Sequence, residues 1–222
     1  MKRKAGMIHA MCSNAQLFKK LTSEIMSETD VVHLIDEGLP AMSDKSLHKR
    51  VVRRLGALAL SAKDSDAEIV LLTCTAFGRL ADEVQAIAKI PVLSVLEIVA
   101  DEAVRLGDQI GLLASHPGTL ATAAELIKEQ AALKGKRVEL KTVLCQGAFE
   151  ALKQEDWPTH DRIVLRYLEE VGSVEVVVIP QPSIERVVDQ LPEASRKVPI
   201  LSSGRLSVKR LKERLDAISP PT

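Results

Sequence analysis

Aromatic residues are scarce in this chain: one Trp, one Tyr and three Phe among 222 residues. That argues against the stacking platforms that hold single-stranded nucleic acid. An excess of one charge is missing as well, since 30 Lys and Arg balance 30 Asp and Glu. No net field draws in a phosphate backbone or an anionic lipid surface, so neither nucleic acid nor membrane is expected as a partner. Cysteine is limited to Cys12, Cys74 and Cys145. They are odd in number and widely spaced, with no C-x-x-C and no nearby His pair, so neither a disulfide framework nor a zinc site is expected. No apolar run reaches membrane-spanning length, and the one after the basic N-terminus is broken by His9 and Ser13. A cytoplasmic location is expected. The motifs G-x-x-x-x-G-K-[ST], G-x-G-x-x-G and G-x-S-x-G are also absent, which removes the usual supports for nucleotide binding and serine hydrolysis.

What the chain does hold is an ordinary apolar content of 46%, arranged as short β-branched runs that alternate with helix-length segments. Eight strands are expected, over residues 5–10, 30–36, 68–73, 90–94, 109–115, 137–143, 175–180 and 198–203. The alternation predicts an α/β protein with parallel strands and crossover helices. The pattern also repeats. "EIVLLTCTAFGRLADEV" and "EVVVIPQPSIERVVDQL" align from Glu68 and Glu175, and "AGMIHA" aligns with "IGLLAS" through Gly6 and Gly111. Two stretches with nearly one offset predict a duplication. Lobe 1 is expected over 1–95, with the helix 204–222 packing back on it, and lobe 2 over 96–203. The strands of both lobes are expected to aim their C-terminal ends at a common cleft, where open α/β sheets bind ligands. Only the tail "ISPPT" looks frayed.

Cys74 ends a strand where a helix begins. Backbone N–H groups and the positive end of the helix dipole favour a thiolate there, and such cysteines reach pKa values of about 3.5–7.5. The competing reading is a small apolar residue filling the end of a core strand. Thr73, Thr75 and Gly78 add hydroxyl donors and room for close approach. In the second half, "ASHPGT" offers Ser115, His116, Gly118 and Thr119, either as a capped helix N-terminus starting at Pro117 or Thr119 or as an anion site. Its counterpart "HAMCSNAQL" offers His9, Ser13 and Asn14 as ligand donors. Cys12 reads as incidental and Cys145 as packing. Asp36, Glu37 and Glu97 either cap helices or line the cleft, capping being the commoner use, and His160 with Asp161 reads as a helix start.

The stretches "LLTCTAFG", "IPVLSVLEIVADEAVRLG", "IGLLASHPGTL", "VVVIPQPSIERV" and "VPILSS" resemble, in order and spacing, the aspartate/glutamate/hydantoin racemase superfamily. The resemblance implies two pseudo-symmetric flavodoxin-like lobes, each a four-stranded parallel sheet flanked by helices. It also implies a small carboxylate substrate held by loop amides and hydroxyls, no metal or organic cofactor, and a homodimer. Typical members carry one cysteine per lobe, working on opposite faces of the substrate α-carbon. Here Cys74 stands at the first position and Gln181, between Pro180 and Pro182, at the second. An amide neither gives nor takes a proton near neutral pH, so the two-thiol exchange does not carry over. Relatives resembling arylmalonate decarboxylases use one cysteine to protonate an enediolate, though their thiol lies in the other lobe. The expected function is therefore an isomerase or lyase acting on a small carboxylate by proton transfer at Cys74. Thr75, Ser115 and Thr119 would bind carboxylate oxygens, Gln181 with Ser183 would close the opposite side, and His116 is a candidate second acid. The alternative is a non-catalytic carboxylate sensor that kept the cleft.

Overall fold

The computed structural model describes residues 2–42, 44–191 and 197–218, so the tail beyond Ile218 lies outside the described residues. The chain divides into two compact units, residues 1–95 with 204–222 and residues 96–203.

The first unit holds β1 (Lys4–His9), α1 (Cys12–Ile25), β2 (Asp30–Ile35), α2 (His48–Asp64), β3 (Ile69–Leu72), a 3-10 turn at Thr75–Leu80, α3 (Ala81–Ala88) and β4 (Val92–Ser94). In chain order there follow α4 (Val95–Leu106), β5 (Gln109–Ala114), α5 (Pro117–Leu133), β6 (Glu139–Leu144), α6 (Ala148–Lys153), α7 (Trp157–Glu170), β7 (Val176–Ile179), α8 (Pro182–Gln190) and β8 (Ile200–Ser202). Helix α9 (Ser203–Ala217) belongs almost wholly to the first unit, where Arg3 donates to the Leu215 carbonyl at 2.7 Å.

Each unit is a four-stranded parallel sheet, ordered β2-β1-β3-β4 in one and β6-β5-β7-β8 in the other. The registers repeat too: Ala5 faces Ile69 in the first sheet and Ile110 faces Val176 in the second. The innermost strands read as unbroken apolar runs because both faces are covered, and every residue of β3 and β7 is buried. On one face of the first sheet, Ile8, Val70 and Leu72 pack with Val51, Leu55 and Ala59 of α2 and Val84 of α3.

Gly6 and Gly111 occupy matching places on β1 and β5, and each lets a neighbour come close. A Cβ at Gly6 would lie 2.7 Å from the Ala62 Cβ, and one at Gly111 would lie 2.5 Å from a Val171 methyl. The Ala62 contact has no rotamer to relieve it. Gly6→Ala is therefore expected to destabilise the protein by about 1–3 kcal/mol through overpacking. Urea unfolding measures this, and Ala62→Gly in the same chain should restore part of the loss.

Candidate active site

Strand order decides which loops meet. β1 and β3 are neighbours, so His9 and the Thr73–Cys74 step lie side by side at the C-terminal end of the first sheet. The Thr73 N–H donates to the Ile8 carbonyl at 3.0 Å and its hydroxyl donates to the same oxygen at 2.9 Å. Cys74, one residue on, is partly buried and packs against the apolar cluster that contains Leu72 and Phe77. Its backbone is extended before the 3-10 turn begins at Thr75.

The thiol stands between two opposed effects. The N–H groups of Ala76 and Phe77 reach the sulfur and favour thiolate, but burial outweighs them and pushes the Cys74 thiol up from its ordinary range. This corrects the expectation of a lowered pKa: the helix-start setting is present, but the sulfur sits too deep for it to prevail. Cys145 is fully buried and pushed up to about 12, in keeping with a packing role. Cys12 is exposed at the first turn of α1.

His9 is not a free donor to a ligand. It is fully buried, its Nδ1 meets the Thr73 hydroxyl at 2.8 Å, and its Nε2 meets Nδ1 of His33 at 2.9 Å. Burial first, then the neighbouring His33 and Lys19, lower the His9 pKa to about 3; burial and Lys19 lower that of His33 to about 4. A histidine held neutral in the fold but free to charge when unfolded makes stability fall as pH drops below the ordinary value of 6.5, until the folded value is reached. For His9 alone the loss by pH 5 is about 2 kcal/mol. Urea midpoints measured from pH 8 to pH 5 are expected to fall accordingly, and His9→Asn should remove that part of the slope.

In the second unit β5 and β7 are neighbours, which brings together the residues that follow them. The Ser115 N–H donates to Oε1 of Gln181 at 2.7 Å, and Nε2 of Gln181 donates to the Ser115 hydroxyl at 3.1 Å. An N–H can only donate, so the amide orientation is set by its partners. Both side chains are buried and their principal polar atoms are spent on one another. The structure thus places Ser115 and Gln181, both expected to bind substrate, in contact with each other. His116 caps α5: its Nδ1 accepts from the Gly118 N–H at 3.1 Å, which leaves the proton of the neutral ring on Nε2. The capped-helix reading of "ASHPGT" is the observed one, with Pro117 as the first helical residue. Thr119 lies in the first turn of α5 and Ser183 in that of α8, both half-buried, whereas Thr75 is buried.

The carboxylates serve other ends. Asp36 is gripped by Arg54 of α2 at 2.5 and 2.7 Å, and that contact holds its pKa below the usual carboxylate range. Glu37 accepts from the Cys12 N–H at 3.3 Å. His160 and Asp161 sit beyond the first residues of α7, whose cap is Asp156, and Asp161 bridges His160 to Arg186. Among the described residues, no cluster of three or more His, Cys, Asp or Glu is placed to hold a metal ion. None of the described helices is long and apolar enough to cross a membrane.

Two copies of one parallel four-stranded unit, the first following its β3 strand with a thiol beside two amide N–H groups, define the two-lobed α/β class to which racemases belong. The sequence profile described as Asp/Glu/Hydantoin racemase matches residues 8–211, and the chain belongs to that family. Among solved structures it is similar to an aspartate racemase homologue from Pyrococcus horikoshii OT3, at 18% identity and a TM-score of 0.70, covering 97% of this chain and 100% of that one. The glutamate racemase of Francisella tularensis, crystallised with D-glutamate, matches at 17% identity and TM-score 0.70, covering 97% and 81%. The allantoin racemase of Klebsiella pneumoniae matches at 14% identity and TM-score 0.70, covering 96% and 88%. No curated protein sequence matches. Three differently named racemases fit equally well at such identities, so the likeness establishes the fold and leaves the substrate to the site.

Proposed function

We propose that this protein is an isomerase or lyase that acts on a small carboxylate by cofactor-independent proton transfer at Cys74, and that it is not a two-thiol amino-acid racemase. One observation carries the reading: Cys74 follows β3 with two amide N–H groups at its sulfur, while the matching place after β7 holds Gln181, bound to Ser115. A site with one thiol and a raised pKa suits a proton donor better than a base. Cys74 rests as S–H and gives its proton to a substrate carbanion, as after loss of carbon dioxide. The resulting thiolate is held by the Ala76 and Phe77 N–H groups until water returns the proton. Racemising a free amino acid requires a second group behind the α-carbon, and Gln181 cannot serve.

The test is deuterium incorporation from D2O into a panel of small acids, including aspartate, glutamate and substituted malonates. Aspartate and glutamate are expected to show no α-proton exchange, and at least one other acid a Cys74-dependent incorporation. A second reading, a carboxylate sensor without catalysis, draws on the mutual satisfaction of Gln181 and Ser115. Saturable calorimetric binding of a small acid, with no deuterium entering it, would select that reading.

A further inference from the structure

We propose that His33 and His9 are positioning residues, running a one-directional chain of hydrogen bonds into Thr73 and so holding the strand end that presents Cys74. The inference rests on the reading of Cys74 as the reacting thiol.

The direction follows from a group that can only accept. The Ile8 carbonyl takes the Thr73 hydroxyl proton at 2.9 Å. Thr73 Oγ1 is then left to accept, so the proton in the 2.8 Å contact belongs to Nδ1 of His9. The neutral His9 ring therefore has a lone pair on Nε2, and the proton in its 2.9 Å contact belongs to Nδ1 of His33. The ring planes lie within 16° of one another with centroids 5.2 Å apart, a spacing that fits an end-to-end bond between imidazoles. The chain crosses three adjacent strands, β2 to β1 to β3, and ends on the residue before Cys74. A proton added to Nε2 of His9 would set N–H against N–H, or reverse that link by moving the His33 proton to Nε2, and either way the single direction of the chain is lost.

The duplication supplies an internal control. The second unit has the same strands in the same register, yet the places matching His9, His33 and Thr73 hold Ala114, Thr142 and Pro180. The half with Gln181 in place of Cys74 lacks the chain and ties its strand ends through Gln181 and Ser115 instead. Only the half with Cys74 carries it.

The test has one spectroscopic arm on the unaltered protein and one arm of variants. Imidazole nitrogen NMR at neutral pH is expected to show His9 and His33 both neutral and both protonated on Nδ1, the tautomer disfavoured in free histidine. Finding the Nε2–H tautomer at either would overturn the proposal. His33→Leu is expected to speed amide hydrogen exchange at residues 73–77 about tenfold, the loss of one buried hydrogen bond. It should also shift the pH profile of Cys74 alkylation by iodoacetamide, read in a Cys12→Ser background. His33→Asn, which keeps an N–H donor at the Nδ1 place, should restore both. Thr73→Val provides the same reading if His33→Leu does not fold. Equal behaviour of His33→Leu and His33→Asn would overturn the proposal. An unaltered Cys74 that never reacts at any pH would defeat the catalytic reading instead, and the exchange data would still decide this one.

Discussion

Cys74→Ala is expected to abolish measurable deuterium incorporation into the substrate, with a loss of about 10²–10⁴-fold in turnover, the usual contribution of a positioned proton donor. The fold should survive the change. Cys74 lies at the border of an apolar cluster, and the change takes a single heavy atom from that border. Cys74→Ser should be almost as inactive, because a hydroxyl at the same place gives up its proton far less readily than a thiol. Thermal unfolding of both variants alongside the parent separates lost chemistry from lost structure. Retention of full turnover by Cys74→Ala, with folding unchanged, would end the assignment.

Gln181→Leu is expected to cost about 1–3 kcal/mol of stability, since it leaves the buried Ser115 N–H without its acceptor. Ser115→Ala should cost less, about 0.5–1.5 kcal/mol, because the 2.7 Å bond from the backbone N–H to Gln181 remains. Urea midpoints at an unchanged m-value measure both. Equal costs would mean that the hydroxyl, not the backbone N–H, holds the amide. The contrast also measures how far Gln181 serves the fold at the place that matches Cys74 in the other half.

The alternation of apolar runs and helical segments located all eight strands within one or two residues at most of their ends. Gly6 and Gly111 pointed to the duplication that the two sheet registers then display. The departure at Gln181 was equally legible, because it depends only on aligning the chain with itself.

Other features could not be read from the chain. Nothing in the sequence singled out His33, and only the β2-β1-β3 order puts it against His9. Ser115 and Gln181 looked like ligand donors until the adjacency of β5 and β7 turned them toward each other. Asp36 found Arg54, eighteen residues along. Periodicity and turn chemistry are local, so the sequence by itself determined the elements, their repetition and the thiol that stands where the chain turns from β3 toward α3. Hydrogen-bond partners and the balance between burial and amide dipoles at Cys74 depend on which strands lie side by side and how deep a side chain sits. Those distances exist only once the sheet is assembled, and the tertiary structure alone decided them.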